Sequence, residues 1–102
     1  MNDAVFGFKA GDLKAITDII LRFGSVKKAA IFGSRAKGNY KEGSDVDIAL
    51  WIDGKDISTE ISGVLNDQTL LPYQFDVQDY RAINNKELAE HIDRVGIVFY
   101  QK

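Results

Sequence analysis

Cysteine is absent from these 102 residues, and histidine, proline, methionine and tryptophan each occur once. Without thiols there are no disulfides and no thiolate metal sites, and the single imidazole of His91 does not make a zinc centre. Any resident metal must then be held by carboxylates, which favour hard cations, so Mg²⁺ is the ion to look for. Long apolar runs are missing too. Nothing approaches the roughly 20 residues of a membrane helix, and the start MNDAVFGFKAGD has neither the basic end nor the apolar stretch of a signal peptide. The cytoplasm is the expected compartment. Repeats, low-complexity stretches and linkers are likewise absent, so residues 1–102 are expected to form a single domain that buries about two-thirds of its unfolded surface.

A net charge of −2 hides an uneven distribution. Residues 22–44 carry six cations against Glu42 alone, whereas residues 45–102 carry eleven acids against five cations. The basic block meets the acidic one between Gly43 and Asp45. The basic block has few aromatics and the whole chain is acidic, which argues against a groove for a nucleic-acid backbone.

Apolar spacing sets the elements. Leu13, Ile16, Ile19, Ile20 and Phe23 recur at helical intervals, which predicts a helix over Asp12–Phe23 with Asp12 as N-cap and Gly24 closing it. Lys28–Phe32 (KAAIF) reads as a buried strand stopped by Gly33. Asp45–Ile52 (DVDIALWI) alternates and then becomes wholly apolar, as a central strand does when one end of one face carries a site. Ile57, Ile61, Val64 and Leu65 mark a second helix that Asn66-Asp67 ends. In Tyr73–Val77 the odd positions are apolar and Gln74, Asp76 and Gln78 share the other face, a third strand with Pro72 at its entrance. Asn84 and Glu87 read as a capping box for a helix through Leu88, Ile92 and Val95, which Gly96 closes. Ile97–Tyr100 is a last strand. The order is that of an α/β layered domain.

Three features combine into one candidate site. Asp45 and Asp47 are two apart, so a strand turns both carboxylates to one face with Cα atoms roughly 6.5 Å apart, and they can converge on a cation. Asp76 joins them if its strand lies beside theirs. Carboxylates held this close repel one another until a divalent ion arrives. An isolated D-x-D is more often a pair of solvated charges, but eleven residues upstream Gly33-Ser34 follows a buried strand and leads into Arg35-Ala36-Lys37-Gly38. That loop offers backbone N–H groups, a hydroxyl and two cations to a phosphate. The spacing is not that of a Walker A loop. His91 has no triad partners nearby in sequence, Trp51 is expected in core packing, and Phe6 and Phe8 are expected to cover the core.

The stretch FGSRAKGNYKEGSDVDIAL, residues 32–50, resembles the G-S…D-x-D signature of the DNA polymerase beta-type nucleotidyltransferase superfamily, in the form found in minimal nucleotidyltransferases. Phe75-Asp76-Val77 resembles the third apolar-Asp-apolar element, and the resemblance runs over residues 12–100. It implies an α/β nucleotidyltransferase fold, a mixed β-sheet flanked by helices, two Mg²⁺ ions, and transfer of a nucleoside monophosphate from ATP or another NTP to a hydroxyl with release of pyrophosphate. Carried onto this chain, Asp45, Asp47 and Asp76 become the metal ligands and catalytic residues, with Asp76 also accepting the hydroxyl proton. Gly33 and Ser34 become the cradle of the β- and γ-phosphates, with Arg35 and Lys37 as further candidates for phosphate charge. Asp79 competes with Asp76, but its parity places it on the apolar face of Tyr73, Phe75 and Val77.

A catalytic palm leaves little surface for an acceptor, whose orientation is worth several kcal/mol of barrier. A partner is therefore expected, and homo-oligomer formation is left open. Minimal nucleotidyltransferases are commonly paired with small helical HEPN proteins, for which they act as antitoxins, in some cases by adenylylating a toxin tyrosine. Two alternatives stand beside transfer to such a partner. One is an antitoxin that neutralises by contact alone, and the other is transfer to a small molecule such as an aminoglycoside.

Overall fold

The computed structural model describes residues 2–102, which form four strands, four α-helices and two short 3-10 helices. In chain order these are a 3-10 helix at Asp3–Phe6, α1 (Asp12–Leu21), β1 (Val26–Phe32), α2 (Gly33–Lys37), β2 (Val46–Ile52), α3 (Ser58–Asp67), β3 (Phe75–Asp79), a 3-10 helix at Tyr80–Ala82, α4 (Lys86–Val95) and β4 (Ile97–Gln101). The strands make one mixed sheet in the order β3-β2-β1-β4. β1 is antiparallel to both β2 and β4, and β2 is parallel to β3. The parallel pair needs a crossover, which α3 supplies. The expected mixed sheet flanked by helices is what the chain forms.

Alternation along the central strands separates two faces. Ala29, Ile31, Val46, Ile48, Leu50 and Phe75 point into the main core, where they meet Leu13, Ile16, Ile19 and Ile20 of α1 and Ile61 and Leu65 of α3. Phe6 and Phe8 are buried in the same core, as expected of them. On the opposite face Phe32 and Ala49 pack with Ile92 of α4, and Trp51, Tyr80, Ile83 and Leu88 lie against that cluster. His91 also sits there, its ring edge-on to Phe32 at 6.2 Å. No helix of the described residues is long and apolar enough to cross a membrane.

Several boundaries differ from the spacing of the sequence. Helix α1 ends at Leu21 rather than Phe23, and β1 starts at Val26 rather than Lys28. Strand β2 starts at Val46, which leaves Asp45 off the strand it was expected to share with Asp47, because Arg35 holds the Ser44 carbonyl in the loop before it. Asp12 is the first residue of α1 rather than its cap, and its carboxylate turns back to accept from Lys9 N at 3.0 Å and from the Tyr73 hydroxyl. The capping is done by Asp3, whose Oδ1 accepts from Leu13 N at 2.7 Å and whose Oδ2 accepts from Gly11 N at 3.3 Å. Helix α4 is capped by Asn85, not Asn84, through a 3.1 Å bond from Leu88 N. The third strand starts at Phe75 and runs on to Asp79, with the odd residues on the core side as alternation required.

Candidate active site

Strand β2 has a neighbour on each side, so its backbone is fixed from both edges. Asp47 lies opposite Phe32 of β1 and opposite Asp76 of β3. The expectation that Asp76 stands beside the D-x-D pair therefore rests on a direct cross-strand pairing. Two further contacts fix the start of β3. Asn66 of α3 holds Phe75 from both sides of its backbone, Oδ1 accepting from Phe75 N at 2.8 Å and Nδ2 donating to Phe75 O at 3.0 Å. Val46 N donates to Gln74 O at 2.9 Å, so the residue before Asp47 is tied to the entrance of β3, two residues ahead of Asp76.

Asp47 is half-buried, Asp76 is exposed, and Asp45 is exposed in the loop just ahead of β2. Burial pushes the Asp47 carboxyl up to about 6, and the charges of Asp76 and then Asp45 push in the same direction. Desolvation and like charge both disfavour an anion. Among the described residues no three His, Cys, Asp or Glu side chains are already gathered as a ligand group. The donor set nonetheless fits a hard divalent cation, because carboxylates that repel one another lose that repulsion when a cation stands between them.

Gly33 closes the site from the other side. Its φ is +71°, and a Cβ at that position would lie 2.2 Å from Asp47 Oδ2. Only glycine lets the turn after β1 come down onto this carboxylate. Ser34 follows, half-buried, and Lys37 is exposed in the last turn of α2.

The assignment of Arg35 to phosphate does not survive its surroundings. The residue is buried, and its guanidinium is already engaged by the carbonyls of Ser44 and Phe6. Asp79 is also buried and is held by Arg81 at 2.9 Å, which leaves Asp76 as the carboxylate that faces the site. Trp51 lies on the Asp47 face farther along β2, stacked on Tyr80 at 4.8 Å with Lys28 Nζ 4.1 Å from its ring centre. A cavity of about 380 Å³ lies elsewhere, between the N-terminal segment and the loop of residues 40–43, and neither Asp47 nor Asp76 lines it. Asn66 is the positioning residue the sequence did not mark. It reads as a helix terminator, and nothing in its spacing announces the pairing with Phe75.

The family model described as Polymerase beta, Nucleotidyltransferase matches residues 14–102. The chain belongs to the polymerase beta nucleotidyltransferase family. It is a nucleotidyltransferase, and its α/β fold is the polymerase beta-like one. Solved structures with the same fold include a chain of a toxin–antitoxin crystal structure with AMP-PNP, at TM-score 0.75 and 21% identity over 89% of this chain and 74% of that one. A chain of the toxin–antitoxin MntA-HepT superposes at TM-score 0.68 with 18% identity, covering 92% of this chain and 74% of that one. A chain of the tri-AMPylated Shewanella oneidensis HEPN toxin in complex with MNT antitoxin gives TM-score 0.61 and 18% identity over 88% and 73%. At these identities the likeness is one of fold. Comparison with curated protein sequences gives no match.

Proposed function

We propose that this nucleotidyltransferase moves AMP from ATP to a hydroxyl on a HEPN-type helical partner protein in the cytoplasm, and that it thereby serves as the antitoxin of the pair. The observation that carries the reading is the pairing of Asp47 with Asp76 under Gly33. Further support comes from the solved structures of the same fold, one of them with AMP-PNP and one with an AMPylated HEPN toxin.

Asp45, Asp47 and Asp76 would hold two Mg²⁺ ions, which supply charge neutralisation at the reacting phosphate and ease loss of the hydroxyl proton. Gly33 N–H and the Ser34 hydroxyl hold the β- and γ-phosphates, and Lys37 adds positive charge beside them. The acceptor oxygen forms a bond to the α-phosphorus as the bond from that phosphorus to the pyrophosphate oxygen breaks. Asp76, exposed at the open side of the site, accepts the hydroxyl proton on a carboxylate oxygen. The pyrophosphate leaves on the Gly33-Ser34 side, opposite the incoming hydroxyl.

The test is incubation of the purified chain with Mg²⁺, α-labelled ATP and a HEPN partner. The partner should become labelled, and Asp47→Ala and Asp76→Ala should each abolish the label. Labelling that persists in both variants would sink the assignment. Loss of labelling with neutralisation intact in Asp47→Ala would mean that contact alone silences the partner.

A further inference from the structure

Asp45 lies outside the strand that holds Asp47, so something other than the sheet must fix it. The loop before it is closed on itself by Ser44 N donating to Lys41 O at 3.0 Å and Lys41 N donating to Ser44 Oγ at 2.8 Å. That closed turn is gripped from beneath by Arg35, which is 3% exposed. Nε and Nη2 of Arg35 both donate to the Ser44 carbonyl, at 3.2 and 2.8 Å, and Nη1 donates to the Phe6 carbonyl at 2.8 Å. None of the ion pairs among the described residues involves Arg35. Carbonyls and aromatic faces surround the charge instead, with the Tyr73 ring centre at 4.9 Å and those of Phe8 and Tyr40 at 5.5 Å.

A buried cation without a carboxylate is a poor source of stability, so the reason for it lies in geometry. Two N–H groups of one rigid fork fix the direction of the carbonyl they share, which a single ammonium does not do. The Ser44 carbonyl and the Asp45 nitrogen belong to one planar peptide unit. Holding the oxygen therefore sets the plane from which Asp45 departs. The third arm of the fork reaches Phe6, ahead of the family match that begins at residue 14. The N-terminal segment is thus wired to the loop that carries Asp45.

We propose that Arg35 is a positioning residue for Asp45, holding it in place beside Asp47, and that the N-terminal segment completes the clamp through the Phe6 carbonyl. The proposal rests on the metal-binding role given above to Asp45 and Asp47. A second contact places the same segment against the loop: a Cβ on Gly7, whose φ is +75°, would lie 2.4 Å from Tyr40 Cε2. Gly7→Ala should therefore loosen the clamp from its far end without touching a carboxylate.

The experiment is titration of the nucleotide-free full chain with Mn²⁺, read by the loss of its free-ion electron paramagnetic signal, with circular dichroism as the folding control. Wild type should bind Mn²⁺ and Asp47→Asn should not. Arg35→Lys should weaken binding by about tenfold or more, the scale on which groups that orient metal ligands act. Gly7→Ala should weaken it in the same direction, and it carries the test alone if Arg35→Lys is unfolded. At saturating metal, the KM for ATP should be unchanged in Arg35→Lys. Wild-type Mn²⁺ affinity in the folded variants, or a raised KM with unchanged Mn²⁺ affinity, would overturn the role of Arg35 and leave the metal site standing. Absence of Asp47-dependent binding in the wild type would overturn the metal site, and the clamp's purpose with it.

Discussion

Gly33 rests on Asp47 so closely that a methyl group at position 33 would occupy space 2.2 Å from the carboxylate oxygen. Gly33→Ala must therefore move the turn or the carboxylate, and it also places a Cβ at a positive φ, which costs roughly 1–2 kcal/mol. A displacement of about 1 Å in a reacting group is worth about a hundredfold in rate. The expected outcome is a folded protein with a lowered Tm and labelling reduced by about two orders of magnitude, measured by thermal denaturation and by transfer from labelled ATP.

The raised pKa of Asp47 fixes the sign of a pH effect on stability. Its folded value is about 6 against an ordinary 3.8, so the folded protein binds this proton more tightly than the unfolded chain does. Stability conferred by that proton is present at low pH and is lost as pH rises through about 6. In EDTA, Asp47→Asn removes the penalty of the anion. The variant should melt higher than wild type at about pH 7.5, and the difference should vanish only as the pH falls below 3.8. An Asn variant less stable than wild type at the higher pH would contradict this account.

Asp76 and Asp79 are three residues apart on the same strand and should fail in different ways. Asp76→Asn removes an exposed carboxylate and should abolish transfer with little change in Tm. Asp79 is buried, accepts from Arg81 N at 3.0 Å and pairs with the Arg81 side chain. Asp79→Ala should cost about 1–2 kcal/mol, the usual loss for a capping acceptor, and should leave measurable transfer below its Tm. Thermal melts and labelling of the two variants side by side decide between them.

Asn66→Ala leaves the N–H and C=O of Phe75 without their side-chain partners at the entrance to β3. Unpaired backbone groups cost about 1–3 kcal/mol each when buried. The expected result is a destabilisation of about that size, with a drop in transfer rate larger than the fraction unfolded explains, because Asp76 is the next residue along. Denaturant titration and single-turnover labelling report the two effects separately.

Much of this was legible in the sequence because the relevant forces are local. Alternation in Tyr73–Val77 put Asp76 on the face opposite the apolar residues, and the register of β2 and β3 agrees. The run from Phe32 to Leu50 placed Gly33 and Asp47 on consecutive elements, whereas Asp45, expected on the strand with Asp47, lies in the loop ahead of it. What escaped was decided by residues far apart in the chain. The cap of α1 comes from Asp3 rather than from Asp12, Asn66 finds Phe75 only after the crossover has formed, and Arg35 is withdrawn from phosphate because Phe6 and Ser44 meet around it. Spacing shows which residues share a face, but not which distant carbonyl will claim a guanidinium.

The order β3-β2-β1-β4 distributes restraint unequally among the three carboxylates. Asp47 sits on an inner strand, Asp76 on an outer one, and Asp45 on a tethered loop. On the proposed metal role, any accommodation to ions of different radius would fall to the outer strand, because Arg35 holds the loop and β2 is paired on both edges. The inner strand stays as a fixed reference. Under that role the site would have two held carboxylates and one on an outer strand, an arrangement that would tolerate substitution of the ion better than substitution of Asp47.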